Sequence, residues 1–490
     1  MSLTPEEFGT AFRRFIQVMN TAAATGGLAQ RLSGHLGQDP ATVPVLAEEF
    51  PSYEHPCLQL ALDAVLAADG IEFERVGLAA HNKRYLNPSL SDMLAGDVRE
   101  GPVDWTNVHL GDGTVLPCVR SGLFLIIDNG RRTAVFVSGA QAERPDSSLQ
   151  VEVIAAEPGD AERLLARIRE LMEQHNVYRG HVLSLRTGHM FGPRGPTTDL
   201  VFHERPTVAR EDVVLPDGIM DRVERHTVVF SEHAQALRDA GQGLRRGILL
   251  HGPPGVGKTL TVRYLCSRLA SRTVLLLTGN ALGALTAVST LARQLAPSMV
   301  VVEDVDLIAE ERTTPFRSAS SGFLFELLNE MDGLRDDADV IYVLTTNRAD
   351  LLEPALALRP GRVDLTVHLP LPDADGRRRL LALYSRGVEA DLDWEPYVGR
   401  TEGASPAYIK ELLRQAVLSA AQAGRGNRIT AADLDDAIAG LASGGELAQR
   451  LLGAAGSGEQ PAGRPPFPPG AFPRGGGFPA SPGVIVMDPS

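Results

Sequence analysis

The sequence predicts an α/β core built on a parallel sheet, preceded by an α+β domain and followed by helices and a disordered tail. Strand-like and helical segments alternate from about Glu211 onward, which is typical of parallel strands joined by crossover helices. Before residue 195, short β-rich runs mix with single helices. After Pro461, Pro and Gly dominate, so the chain there cannot bury enough apolar surface to fold.

Changes in composition set the predicted domain boundaries. Gly188–Pro206 is rich in Gly and Pro and poor in apolar side chains, which favours a linker. The predicted order is an N-terminal α+β domain of unknown role (1–195), a linker (196–212), an α/β core (213–372), a helical region (373–445) and a Gly/Pro-rich disordered tail (446–490).

Composition disfavours several classes of partner. The chain carries 61 Asp and Glu against 47 Lys and Arg, a net charge of −14, so a nucleic-acid partner is unlikely. No apolar run approaches the ~18 residues of a membrane-spanning helix, and the first residues lack a secretory pattern. Cys57, Cys118 and Cys266 fit neither a disulfide framework nor a zinc spacing. We therefore expect a cytoplasmic protein with buried thiols and no membrane insertion.

The N-terminal region shows structural signals but no catalytic constellation. Asp128-Asn129-Gly130-Arg131 lies between two β-rich runs within Gly122–Gly139, a strong hairpin signal. The histidines of the N-terminal region are scattered, without the spacing of metal ligands. Further predicted elements are helices near Pro56–Ala68 and Asp160–Gln174 and strands at Ser148–Ala156 and His181–Leu185.

A glycine-rich loop follows the first strand of the predicted core. Ile248–Leu250 is a short apolar strand, and a helical pattern begins at Leu260. Glycines let backbone N–H groups approach phosphate oxygens, and a helix N-terminus favours their negative charge. In this context we expect the lysine to reach the β- and γ-phosphates and the threonine hydroxyl to ligate Mg²⁺. The predicted nucleotide-binding residues are Gly252, Pro253, Pro254, Gly255, Val256, Gly257, Lys258, Thr259 and Leu260.

Polar residues follow two later strands. The buried-strand pattern Met299–Val302 ends in Glu303-Asp304-Val305-Asp306, where acids beside a phosphate loop can handle Mg²⁺ and the attacking water. The strand Val340–Thr345 leads into Thr346-Asn347, whose amide can orient that water. The alternatives are an ordinary acidic turn and ordinary Asn turn chemistry.

Two arginines lie on a Pro/Gly turn further along the chain. Arg359 and Arg362 flank Pro360-Gly361. They are either solvated loop residues or arginine fingers, which stabilise the charge that develops on a transferring phosphoryl group.

In this order and spacing, the motifs resemble the AAA branch of the AAA+ P-loop ATPases over roughly Val213–Leu441. The resemblance rests on GPPGVGKT, VVVEDVD, TTN and RPGRVD, together with LLNEMDGL (Leu327–Leu334), which is similar to the family's inter-subunit signalling segment. It implies a P-loop NTPase core whose C-terminal helical region is a lid. The position of the family's second sensor is Ala407, and Lys410, one turn later, is interpreted as a surface lysine.

The resemblance also implies a role for each site residue and an activity. The chain would hydrolyse ATP in a homo-oligomeric ring, a hexamer in this family, and remodel a protein substrate recruited by the N-terminal domain or the tail. The implied roles are ATP and Mg²⁺ binding by Lys258 and Thr259, a magnesium-side role for Glu303, water polarisation by Asp304, a sensor role for Asn347, and fingers acting in trans from Arg359 and Arg362.

Two departures from the family pattern bear on activity. The order Glu303-Asp304 reverses the usual Asp-Glu, and aspartate is one methylene shorter, which can misplace the water. The alternative to an active ATPase is therefore a slow or inactive nucleotide-gated assembly scaffold. The segment Gly279–Ser289, where the family has its aromatic pore loop, has no aromatic residue; Leu282 and Leu285 belong either to a pore or to the core.

Overall fold

Two seven-stranded sheets form the framework of the computed structural model. Both sheets carry helices on both faces, so each contributes to more than one apolar layer. The structure describes residues 27–80, 89–94, 98–111, 113–139, 148–187, 198–277, 285–306, 327, 329–331, 338–348 and 363–443.

The first sheet is antiparallel, in the order β1-β7-β6-β5-β2-β3 with β4 paired to β5. Helices α1 (Gly27–Leu36) and α3 (Leu90–Leu94) pack on one face, and α2 (His55–Leu66) and α4 (Asp160–Gln174) on the other. The strands are β1 (Leu46–Phe50), β2 (Ile71–Ala80), β3 (Val98–Gly101), β4 (Asp104–His109), β5 (Val115–Asp128), β6 (Arg131–Ser138) and β7 (Leu149–Ala155).

The predicted hairpin is confirmed. Asp128 pairs with Arg131, and the two residues between them, Asn129 and Gly130, have φ of +50° and +86°. Positive φ at both central residues is the type I′ geometry that matches the twist of the flanking strands. The helix predicted at Asp160–Gln174 is also confirmed.

The second sheet is the predicted parallel sheet, in the order β14-β10-β13-β12-β11-β8-β9. Only its edge strand β9 is antiparallel. Helix α8 (Lys258–Arg268) packs on one face and α9 (Leu285–Gln294) on the other. The strands are β8 (Val182–Thr187), β9 (Thr198–His203), β10 (Arg246–His251), β11 (Thr273–Leu277), β12 (Ser298–Val302), β13 (Val340–Thr346) and β14 (Leu365–His368).

Strands β8 and β9 correct the predicted domain boundaries. Val182–Ser184 of β8 pairs in parallel with Val274–Leu276 of β11, so β8 belongs to the second sheet and not to the domain assigned to residues 1–195. The predicted linker 196–212 is wrong at Thr198–His203, because these residues form β9 and pair with β8. The physical reason is edge protection: β8 satisfies the backbone groups that β11 would otherwise expose, and β9 does the same for β8.

The N-terminal region and the second sheet share one continuous apolar core. Residues of α2 and α4 lie in the same buried cluster as residues of α9, β11, β12 and β13. Tyr178 connects the two parts: its ring stacks on Phe202 of β9 at 5.4 Å and meets Tyr53 edge-on at 6.2 Å. The N-terminal region is therefore packed against the second sheet.

Helices fill the remaining described segments. Before β10 lie α5 (Ile219–Glu224), a π-helical turn (Arg225–Val229), α6 (Phe230–Glu232) and α7 (Ala234–Asp239). After β14 come α10 (Ala374–Tyr384), α11 (Glu395–Arg400), α12 (Pro406–Gln422) and α13 (Ala431–Ser443). These four helices share a third buried cluster. Two short strands, β15 (Glu389–Ala390) and β16 (Arg428–Ile429), lie between them. No helix within these described ranges is long and apolar enough to cross a membrane.

Candidate nucleotide site

The glycine-rich loop runs from the carboxyl end of β10 to the start of α8. At Gly252, φ is +153° and a Cβ atom would lie 2.1 Å from the carbonyl oxygen of Leu369. At Gly255, φ is +77° and a Cβ would lie 2.7 Å from Ser405 Oγ. Both positions therefore require glycine, which tolerates positive φ and this close approach of neighbouring chain.

Helix α12 begins directly on this loop. The backbone N–H of Ala407 donates to the carbonyl oxygen of Gly255 at 3.2 Å. The N-cap residue Ser405 accepts from the backbone N–H of Tyr408. The C-terminal helices thus contact the phosphate loop at the residue that the sequence placed at the second-sensor position.

Lys258 is buried at the centre of the site, with 6% of its surface exposed. Its ammonium donates to three oxygens, each at 2.8 Å: the carbonyls of Gly252 and Pro253 and Oδ1 of Asn347. Burial lowers the pKa of Lys258, while the charges of Asp304 and Asp306 oppose that shift. An ammonium has three N–H donors, so an entering phosphate oxygen must replace one of these acceptors.

Asn347 links the lysine to the acidic segment. While its Oδ1 accepts from Lys258, its Nδ2 donates to Oδ1 of Asp304 at 3.2 Å. Asp304 has a left-handed backbone, with φ of +49°, and its N–H donates to Thr345 Oγ1 at 3.0 Å. The structure therefore joins three residues predicted from separate motifs in one chain of hydrogen bonds.

Glu303 and Thr259 form a second, oxygen-only group. Within the described residues, Oε1 of Glu303 is buried without a hydrogen-bond partner. Burial raises the pKa of Glu303, and a hydrogen bond with the Thr259 side chain opposes this shift. Mg²⁺ prefers carboxylate, hydroxyl and phosphate oxygens, so an orphaned carboxylate oxygen beside a threonine hydroxyl fits this ion.

Asp306 belongs to the site, although no role for it is predicted from the sequence. It is 5% exposed, and its Oδ1 accepts from Thr346 Oγ1 at 2.9 Å and from the backbone N–H of Asn347 at 3.2 Å. The signal in the sequence was its two-residue spacing from Asp304 after a buried strand. That spacing is equally typical of an acidic turn.

Several predicted features lie outside the described residues, namely Arg359, Arg362, Leu282 and the tail from 446 to 490. Leu285 is fully buried in the core shared by both sheets, which supports its core interpretation. In the part of the chain that the structure describes, no group of three or more His, Cys, Asp or Glu could hold a metal.

The described residues of the segment predicted to signal between subunits pack on the α9 face of the second sheet. Leu327 and Met331 are buried in the shared core, and Arg245 donates to the carbonyl of Met331 at 2.7 Å just before β10. Thr286 of α9 donates to Glu330 at 3.0 Å.

A parallel sheet, a glycine loop around a buried lysine and acids at the ends of neighbouring strands define a P-loop nucleotide-binding protein. The family model described as "ATPase family associated with various cellular activities (AAA)" matches residues 248–371. The chain therefore carries an AAA domain of the AAA+ ATPases.

Curated relatives match over about half of the chain. An ATP-dependent zinc metalloprotease FtsH 3 of Sphaerobacter thermophilus is 32% identical over 274 residues, covering 53% of this chain and 55% of the relative. A proteasome-activating nucleotidase of Methanothermobacter thermautotrophicus is 31% identical over 257 residues, covering 49% and 62%. A proteasome-activating nucleotidase of Methanocaldococcus jannaschii is 31% identical over 230 residues, covering 44% and 53%. The chain thus spans less than two thirds of each of these relatives.

Proposed function

We propose that this chain binds and hydrolyses ATP and couples hydrolysis to the remodelling of a protein partner. The observation that supports this proposal is the chain of hydrogen bonds from Lys258 through Asn347 to Asp304. It brings a buried cation for phosphate, a polar amide and a carboxylate together at the carboxyl ends of adjacent parallel strands. Phosphoryl transfer depends mainly on such positioning and on charge stabilisation.

The geometry supports a distinct role for each side chain. Lys258 would exchange an acceptor for a β- or γ-phosphate oxygen, and the N–H groups of the loop and of α8 would face the remaining phosphate charge. Asp304 can accept a hydrogen bond from the attacking water as well as from the Asn347 amide, because a carboxylate offers about four lone-pair sites. Thr259 and Glu303 would hold Mg²⁺, which would neutralise charge that develops on the phosphates.

We also propose that the protein works as a homo-oligomeric ring, with six subunits as the family resemblance implies. Arg359 and Arg362 would then act on the nucleotide of the neighbouring subunit. The substrate is proposed to be a protein, recruited by the N-terminal region or the tail. The three free, buried cysteines fit a reducing cytoplasm, which we propose as the location.

Nucleotide binding and turnover test the site directly. In Lys258→Ala, ATP binding should be lost, because no other lysine of the described residues is buried at the loop. In Asp304→Asn, binding should be retained and turnover should stop. Fluorescent-nucleotide titration and phosphate release measure the two steps separately. Normal turnover in either variant would show that its residue is assigned wrongly.

Mixed oligomers test the action of the arginines in trans. Chains carrying both Arg359→Ala and Arg362→Ala should be inactive, and so should Lys258→Ala chains. Mixing the two should restore part of the ATPase activity, because some interfaces then pair an intact loop with intact arginines. Equal inactivity of all mixtures, with oligomer formation verified by light scattering, would argue against this arrangement.

A second candidate is a nucleotide-gated scaffold that assembles with ATP and turns over slowly. The observation that favours it is the short Asp304 side chain, already engaged with Asn347. A single-turnover measurement separates the two functions: a scaffold retains ATP over the lifetime of its assembly, whereas an ATPase releases phosphate faster than it disassembles. Asp304→Asn in ATP should hold any bound protein substrate for identification by pull-down.

A further inference from the structure

Asp306 differs from the other acids of the site because its hydrogen bonds go to the carboxyl end of β13. A single oxygen, Oδ1, accepts both of its described hydrogen bonds, from Thr346 Oγ1 and from Asn347 N–H. Both donors lie where β13 ends. Thr346 Oγ1 in turn accepts from the N–H of Arg348 at 2.9 Å.

These bonds fix both ends of the turn that carries Asn347. The backbone of Asn347 is tied to Asp306, while its side chain spans Lys258 and Asp304 at 2.8 and 3.2 Å. A side-chain amide changes position when the backbone that carries it moves. A displacement of about 1 Å near the reacting groups can lower the reaction rate roughly 100-fold. The two bonds to Asp306 therefore fix the backbone from which this amide reaches Lys258 and Asp304.

We infer that Asp306 is a positioning residue for the proposed ATPase, acting through Asn347 on the γ-phosphate and its attacking water. The inference rests on the proposed function. The charge and the geometry of Asp306 can be tested separately, because Asp306→Asn keeps an oxygen at Oδ1 while losing the negative charge. An alanine removes both.

The experiment compares Asp306→Ala with Asp306→Asn in the full-length chain. We expect Asp306→Ala to lower kcat about 100-fold while KM for ATP and the affinity for N-methylanthraniloyl-ADP change less than about threefold. Asp306→Asn should retain kcat within about fivefold. If Asp306→Ala keeps kcat within that same range, or if Asp306→Asn is as impaired as Asp306→Ala, the inference is wrong.

Asp339 supplies a matched control. It is also a buried acid, 8% exposed, but it lies at the opposite end of β13 and binds Arg272. Asp339→Asn should lower the melting temperature without changing kcat per folded enzyme. A purely structural Asp306 would give this same pattern, which would contradict a positioning role.

If Asp306→Ala does not fold, Thr346→Val decides the question. This nearly isosteric change removes the hydroxyl that bridges Asp306 and Arg348. It should lower kcat about tenfold with unchanged affinity for ADP, and an unchanged kcat would overturn the inference.

Failure of the proposed function would look different. If the wild-type chain binds nucleotide but does not hydrolyse ATP, the preference for ATPγS over ADP becomes the readout. Asp306→Ala should then lose that preference, because Asn347 no longer faces the γ-phosphate, and a retained preference would overturn the inference alone. If the wild-type chain binds neither nucleotide, the proposed function and the inference both fall.

Discussion

The second sheet buries one cation at each of its two ends, and the two are held in opposite ways. At the amino ends of the strands, Arg272 is 1% exposed, and its Nη2 donates to Oδ1 of Asp339 at 2.5 Å. Its Nε donates to Ser231 Oγ at 2.6 Å, and its Nη1 donates to the carbonyl oxygen of Ser298 at 3.2 Å. At the carboxyl ends, Lys258 donates only to neutral oxygens in the described structure.

The difference separates a structural cation from a functional one. Burial lowers the pKa of both side chains, so both are charged at a cost in desolvation. Arg272 recovers that cost within the fold through an anion of its own. Lys258 bonds to carbonyls and an amide, and only the charges of Asp304 and Asp306, which it does not contact directly, oppose its desolvation. An entering phosphate would therefore be its first directly bonded anion.

Breaking the structural pair should have the largest effect. Arg272→Met leaves Asp339 buried without its main partner, and we expect unfolding free energy to fall by about 3 kcal/mol. The lower end of the usual range applies because the guanidinium of Arg238 lies 3.8 Å from Asp339 and compensates in part. Urea denaturation measures the loss, and the folded fraction should bind ADP normally.

The double variant Arg272→Met/Asp339→Leu is the control for that prediction. Replacing both charges with apolar groups of similar size should recover most of the lost stability. Equal loss in the single and double variants would show that the hydrogen bonds of Arg272 to Ser231 and Ser298 matter more than its ion pair.

Removing the functional cation should give the reverse pattern. Lys258→Met should lower ATP affinity at least about 100-fold, since the charge-assisted bond to phosphate is lost. Its melting temperature without nucleotide should be equal to or above that of the wild type, because a desolvated charge has been removed. A marked loss of stability would mean that Lys258 holds the empty loop together, as Arg272 holds the opposite end.

The smallest effect is a pH dependence with opposite signs for folding and for binding. Because burial lowers the pKa of Lys258 below the ordinary 10.5, the folded state binds fewer protons than the unfolded state as pH rises toward that value. The contribution of this group to stability therefore increases with pH over that window. ATP binding needs the protonated form, so affinity should fall in the same window, by about tenfold for each pH unit above the lowered pKa.

Affinity measured from pH 7 to pH 10 checks this sign. Lys258→Arg is the matched control, because a guanidinium stays charged throughout that range and its residual affinity should not change with pH. An affinity that rises with pH in the wild type would contradict the role given to the ammonium.

Local patterns were sufficient to predict much of this site. The glycine loop, the strand before it and the helix after it are adjacent in sequence, so Lys258 and Thr259 could be assigned from their neighbours. Long-range pairing could not be predicted in the same way. The local pattern predicts a strand at His181–Leu185, but not that it pairs with β11 about ninety residues later. Arg272 and Asp306 show the same limit, because each becomes recognisable only through partners brought by other strands.

The placement of β8 and β9 also bears on the order in which the molecule is made. A ribosome delivers β8 and β9 before β11, the strand with which β8 pairs in the finished sheet. Until β11 is synthesised, β9 is the partner that β8 has in the finished sheet, and a two-stranded ribbon is at best marginally stable in water on its own. Packing of Phe202 against Tyr178 attaches this ribbon to the N-terminal region. The N-terminal region therefore holds β9, and through it β8, where the later strands of the second sheet add to them.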